Sequence, residues 1–102
     1  MYELEGKYFD WDKEKNLRNI NKHGVSFKMA ATSFLDTNCI LRKDSRHSID
    51  EDRFILLGIN KIDNLLVVSH CRRDGGNIIR IISARKADES ETRYYEGRNN
   101  LV

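Results

Sequence analysis

The chain has 102 residues, 39% hydrophobic and 33% charged, with a formal net charge of +2. A chain of this length encloses one core, not two, and buries roughly two-thirds of the surface its unfolded form exposes. The apolar residues are clustered, which argues against a disordered chain. No run approaches the roughly 20 apolar residues of a membrane span. Met1–Asp10 carries Glu3, Glu5 and Lys7 without an apolar stretch, so no secretory signal is expected. Cys39 and Cys71 lie in different segments without metal-ligand spacing and read as free thiols. Together these features point to one small cytoplasmic domain spanning 1–102.

Lys7–Trp11 alternates loosely and can open the chain as a short strand. Asp12 is a helix N-cap, Lys13–Lys22 has good helix formers with Leu17 and Ile20 three apart, and Gly24 stops it. Ser26 caps a second helix, on which Phe27, Ala30, Ala31, Phe34 and Leu35 recur at helical spacing. The pattern then changes to four short β-like runs: Asn38–Arg42, Arg53–Ile59, Leu65–Cys71 and Ile78–Ala84. The last two spacers are too short for a parallel crossover, so an antiparallel meander is expected. A charged helix from about Lys86 to Arg98, anchored by Tyr94 and Tyr95, closes the chain. The fold class is α+β: an antiparallel sheet of about four strands, two N-terminal helices and one C-terminal helix.

Charge is unevenly distributed. Residues 1–52 hold nine basic and ten acidic side chains, and residues 53–102 hold nine and six. Seven of the latter nine are arginine, whose planar fork suits phosphate. Arg80 shares a strand face with Ile78 and Ile82, while Ile79 and Ile81 face the other way, so Arg80 needs an anion or several acceptors. Glu91 on the packed helix is one such partner. Arg85 converges with Arg80 only if the chain turns after Ser83. His23, beside Lys22 at a helix C-terminus, either stabilises the helix dipole or carries a proton. His47 stands in a polar, acidic loop over 43–52 that matches no metal-ligand set. His70 adjoins Cys71, but neighbouring strand residues point to opposite faces, which disfavours a Cys–His nucleophile pair. Arg72-Arg73-Asp74-Gly75-Gly76 is a basic hairpin tip, either solvated or a phosphate contact. Tyr95 packs its ring on the sheet, with a hydroxyl able to reach a phosphate.

In order along the chain, Trp11-Asp12, Asn16 or Asn19, Lys22-His23-Gly24-Val25-Ser26-Phe27 and Ala30-Ala31 resemble the opening of the BrnT toxins. His47-Ser48-x-x-Glu51-x-Arg53 resembles that family's central motif. Arg80-Ile81-Ile82-Ser83-Ala84-Arg85-Lys86-Ala87, with Glu91 and Tyr95, resembles its C-terminal signature. Thr92 stands where the family often has Arg, and Arg72 where an acidic residue is common. The resemblance implies a RelE-like fold and the toxin of a type II toxin–antitoxin pair. It implies an endoribonuclease that cuts RNA and inhibits translation without metal or other cofactor. The implied partners are the RNA substrate and a BrnA-like ribbon-helix-helix antitoxin, through which alone operator DNA is reached; no membrane is involved. By this resemblance Arg80 and Arg85, supported by Arg53, stabilise the phosphate, Lys22 or His23 carries the proton, and Tyr95 orients or donates, with His70 a weaker alternative. The competing reading is a non-catalytic nucleic-acid- or protein-binding module that acts as a corepressor with its antitoxin.

Overall fold

A computed structural model describes residues 1–47 and 51–100. Residues 48–50 and the His47 side chain, and with them part of the central motif, lie outside the described residues. The first elements are a tight hairpin, β1 (Tyr2–Leu4) and β2 (Lys7–Asp10). They are followed by α1 (Lys13–His23), α2 (Phe27–Thr32) and a 3₁₀ turn over Ser33–Leu35. Then come β3 (Ile40–Lys43), β4 (Arg53–Ile59), β5 (Leu65–Arg73), β6 (Ile78–Lys86) and α3 (Glu89–Arg98).

Among the described residues, six strands form one mixed sheet in the order β1-β2-β6-β5-β4-β3. The expected meander is present as β3 to β6, all antiparallel. The expected sheet of about four antiparallel strands is corrected at its other end, where β2 adds to β6 in parallel. Spacer lengths say nothing about this pairing, because almost the whole chain lies between the two strands. The β1–β2 turn is built on Glu5 and Gly6, both at positive φ (48° and 83°). That is the backbone of a primed hairpin turn, formed without the Asn-Gly pair that usually announces one.

The helix caps follow the sequence reading. The Asp12 side chain accepts from the backbone N–H groups of Glu14 and Lys15, and Gly24 ends α1 at φ 71°. Ser26 caps α2 by accepting from Met29 N–H. The C-terminal helix begins three residues later than expected. β6 runs on to Lys86, paired with Leu66, and Asp88 and Glu91 then form a reciprocal capping box.

α1 is unusual in what it buries. Leu17 is 65% exposed and Ile20 39%, whereas Asn19 is only 7% exposed. The helix therefore docks by hydrogen bonds rather than by an apolar stripe. Asn16 accepts from Phe27 N–H at 2.8 Å, tying α1 to the start of α2. Asn19 donates to the carbonyls of Val25 and Ala84, each at 2.8 Å, and accepts from Ala84 N–H at 3.1 Å. β2 pairs with β6 only as far as Arg80. Beyond that point the Asn19 carboxamide takes the place of a neighbouring strand on the β6 edge.

One core lies between the sheet and the first two helices. It is built from Phe9, Phe27, Ala30, Leu66, Val68 and Ile81, among others. His70 belongs to this layer. It is 1% exposed, with its ring against Phe34 and Phe54 at centroid distances of 4.9 and 5.9 Å. Burial lowers its pKa from about 6.5 to about 4. Gly58 of β4 is needed at this layer, since a Cβ there would come within 2.7 Å of the Ser33 carbonyl oxygen. A smaller core on the opposite face joins Ile40, Leu57 and Tyr95.

Asn19→Ala leaves three buried backbone groups without their partner. It should destabilise the fold by about 3 kcal/mol, seen as a lower denaturant midpoint at unchanged slope. His70 is neutral in the fold and binds its proton more readily when unfolded. Its contribution is therefore complete above pH 6.5 and is lost as pH falls toward 4. Over that window it should amount to about 3 kcal/mol. The difference in stability between the wild type and a His70→Leu variant should change by that amount between pH 6.5 and 4.

Candidate active site

A regular strand would send Arg80 and Arg85, five residues apart, to opposite faces. β6 is not regular. Ser83 pairs with Ser69 and Ile81 with His70, leaving Ile82 as an extra residue in a β-bulge. The bulge keeps Ile81 and Ala84 together on the helix-covered face. It also turns Arg80 and Arg85 to the same opposite face. Ile82 itself lines the open face that Arg80 shares, as alternation expects, and it is Ser83, Ala84 and Arg85 after it whose faces the slip exchanges.

Three cross-strand rows therefore share the face away from α1 and α2. Arg53, Cys71, Arg80 and Asp10 form the first; Ile55, Ser69 and Ser83 the second; Leu57, Val67 and Arg85 the third. α3 covers the end of the third row through Tyr95, with Ala87 of the β6–α3 connection packed beside it. What it leaves uncovered is a cleft of about 490 Å³. Arg53, Ser69, Ser83 and Arg85 line it, and Lys22 and His23 from the end of α1 form one wall. Four of the six residues singled out from the sequence, Lys22, His23, Arg53 and Arg85, thus meet in one cleft.

Arg80 lies on the same face, outside the cleft lining. Its guanidinium donates to Asp10 Oδ2 at 2.5 Å, so its carboxylate partner is Asp10 and not Glu91. Glu91 instead forms a bidentate pair with Arg85, both contacts at 2.8 Å. That fork holds the Glu91 carboxyl below its ordinary range. Arg85 also donates to the Lys86 carbonyl, leaving part of its five-donor fork for another acceptor. At the hairpin tip, Arg73 pairs with Glu51 and Arg72 lies over the Phe54 ring, 5.2 Å from its centroid. Both tip arginines therefore have partners within the chain.

Two expectations are corrected. Tyr95 is 2% exposed and its hydroxyl donates to Asp36 Oδ2 at 2.6 Å, which places it in the core instead of the cleft. Burial, with Asp36 as its acceptor, raises its pKa. Asp36 was not visible as a key residue in the sequence. Its carboxylate also accepts from the N–H groups of Asn38 and Ile59, so it ties α3 to β4. His70 is sealed under the helix layer, which removes it as a proton carrier in the cleft. Cys71 points to the opposite face from His70 and has its thiol pKa raised by burial.

Comparison with known proteins identifies the family and the fold. Residues 11–91 match the family described as ribonuclease toxin, BrnT, of type II toxin–antitoxin system. The crystal structure of the Brucella abortus ribonuclease toxin BrnT is 20% identical to the chain, with a TM-score of 0.62. The alignment covers 81% of this chain and 99% of that one, and at such identity it speaks for the fold. No curated protein matches the sequence. The match over residues 11–91 runs from Trp11 through the bulged strand to Glu91, the partner of Arg85. The chain belongs to the BrnT family of ribonuclease toxins of type II toxin–antitoxin systems.

Proposed function

We propose that the chain is a metal-independent endoribonuclease that inhibits translation by cutting RNA in the Arg53–Arg85 cleft. The observation that carries this reading is the Ile82 bulge, which turns Arg80 and Arg85 to one face, with Arg85 beside Arg53, Lys22 and His23. In the reaction the ribose 2′-oxygen attacks the adjacent phosphorus and the bond to the 5′-oxygen breaks. The products are a 2′,3′-cyclic phosphate and a 5′-hydroxyl. Charge builds on the phosphate oxygens, and fixed guanidinium groups are suited to stabilise it. Arg85 and Arg53 take that role, and Arg80 holds a flanking phosphate. His23 and Lys22 are the groups at the cleft wall able to take the 2′ proton and to supply one to the leaving oxygen.

The carboxylates of Asp10 and Glu91 hold the arginine forks in place before substrate arrives. A bound phosphate must compete with them for the same donors.

A toxin of this class has an antitoxin partner. We infer that it is a BrnA-like ribbon-helix-helix protein, that it neutralises the toxin, and that operator DNA is contacted through it alone. No helix among the described residues is long and apolar enough to cross a membrane. The cytoplasm is the compartment in which an RNA-cutting toxin meets its substrate.

Antitoxin-free protein should cleave RNA in EDTA and leave cyclic-phosphate and 5′-hydroxyl ends. Arg85→Ala should lower the rate at least tenfold, about 1.4 kcal/mol of transition-state stabilisation, while the fold is retained. Cleavage that is unchanged in both Arg85→Ala and Arg80→Ala sinks the assignment. Absence of both RNA cleavage and any block of translation favours the corepressor reading. Tyr95→Phe should cost about 1–2 kcal/mol of stability, because Asp36 loses a buried donor. Its cleavage rate should stay within about twofold of wild type, since the hydroxyl never faces the substrate.

A further inference from the structure

The cleft continues into a second trough that the reaction above does not use. A groove of about 580 Å³ runs between β3 and α3 and shares Asp44, Ile55, Val67 and Arg85 with the cleft. The two form one continuous channel with Arg85 at the junction. Tyr94 stands on the far wall of the groove, 42% exposed, while its neighbour Tyr95 takes the place in the core. The Arg42 guanidinium lies over the Tyr94 ring, 5.6 Å from its centroid. The sequence pattern suggests packing anchors at both tyrosines, and in the structure only Tyr95 is one.

An exposed ring backed by an arginine, in a basic channel that begins at a phosphate-binding arginine, matches what a single nucleic-acid strand needs. Arginines follow the backbone, and aromatic faces receive the bases. We propose that Tyr94, with Arg42 behind it, is a nucleobase-stacking subsite for a nucleotide next to the phosphate held at Arg85. This rests on the reading of the cleft as a ribonuclease site and extends it. Every base has a π face, so the subsite adds affinity without choosing a sequence. An acidic antitoxin segment would be drawn to Arg42 and Lys43, but charge attraction alone makes no use of the ring face.

The test uses the full antitoxin-free chain and a short single-stranded 2′-O-methyl RNA, which lacks the attacking hydroxyl. Binding is followed by fluorescence anisotropy over a range of salt concentrations. Tyr94→Ala should weaken binding about tenfold and leave the salt slope unchanged, because no phosphate contact is lost. Tyr94→Phe should bind like wild type. Tyr94 is exposed, and a denaturation curve for each variant checks that the fold is intact. Binding by Tyr94→Ala within twofold of wild type overturns the subsite alone. So does a Tyr94→Ala variant that binds RNA normally but loses affinity for the antitoxin, which would make the groove an antitoxin surface. A wild-type chain that does not bind the oligonucleotide overturns the subsite together with the free-RNA reading beneath it.

Discussion

One inserted residue, Ile82, decides which way the C-terminal half of β6 faces. Before it, Ile79 and Ile81 point into the helix-covered core and Arg80 points away. After it, Ala84 points into the core and Arg85 away. A strand without the bulge would drive either an arginine into an apolar layer or the core residues out of it. A buried, unpaired guanidinium is far too costly for the first outcome. The bulge thus serves packing and chemistry together. Asn19 meets it from outside. Its carboxamide bonds both backbone polar groups of Ala84, two residues beyond the extra one, just where β2 no longer accompanies β6.

This arrangement gives the two sheet faces different roles. The helix-covered face is dry enough to keep His70 neutral. The other face is only half covered by α3, and its open half carries the arginines in cross-strand rows. Their ion pairs with Asp10 and Glu91 are partly exposed, and such pairs add little to stability. Their value is positional. A guanidinium already held by a carboxylate fork loses less rotamer freedom when it takes up a phosphate.

Much of the fold was legible because local signals determine it. Asp12, Gly24 and Ser26 cap the helices where the sequence places them, and β4 occupies Arg53–Ile59 as expected. The parallel β2–β6 pairing was hidden because it joins segments far apart in the chain, and no local signal marks Asp10 and Arg80 as neighbours. α1 misled for a different reason. Leu17 and Ile20 have helical spacing, yet the docking face is carried by Asn16 and Asn19, whose carboxamides find backbone partners. At the site, residue types pointed to Arg53, Arg85, Lys22 and His23, which do converge. Alternation could not show that Arg80 joins their face, since it assumes the regular strand that the bulge breaks. The Asp36 anchor of Tyr95 was equally hidden, because nothing in the spacing of two residues so far apart marks them as partners.

The two tyrosines of α3 show how closely core and channel are joined. Adjacent residues on a helix are turned about 100° apart, so the helix that buries Tyr95 must present Tyr94 elsewhere. The buried Tyr95 ring seats α3 on Ile40 and Leu57, and Asp36 adds to that anchor by accepting the Tyr95 hydroxyl while it also holds Ile59 of β4. With that rotation set, Glu91, one turn earlier, reaches Arg85, and Tyr94 stands over the groove beside Arg42. The orientation of Arg85 and the position of the exposed ring therefore depend on the same buried side chain, whose ring packs against Ile40 and Leu57. A residue with no access to the channel shapes it along its whole length.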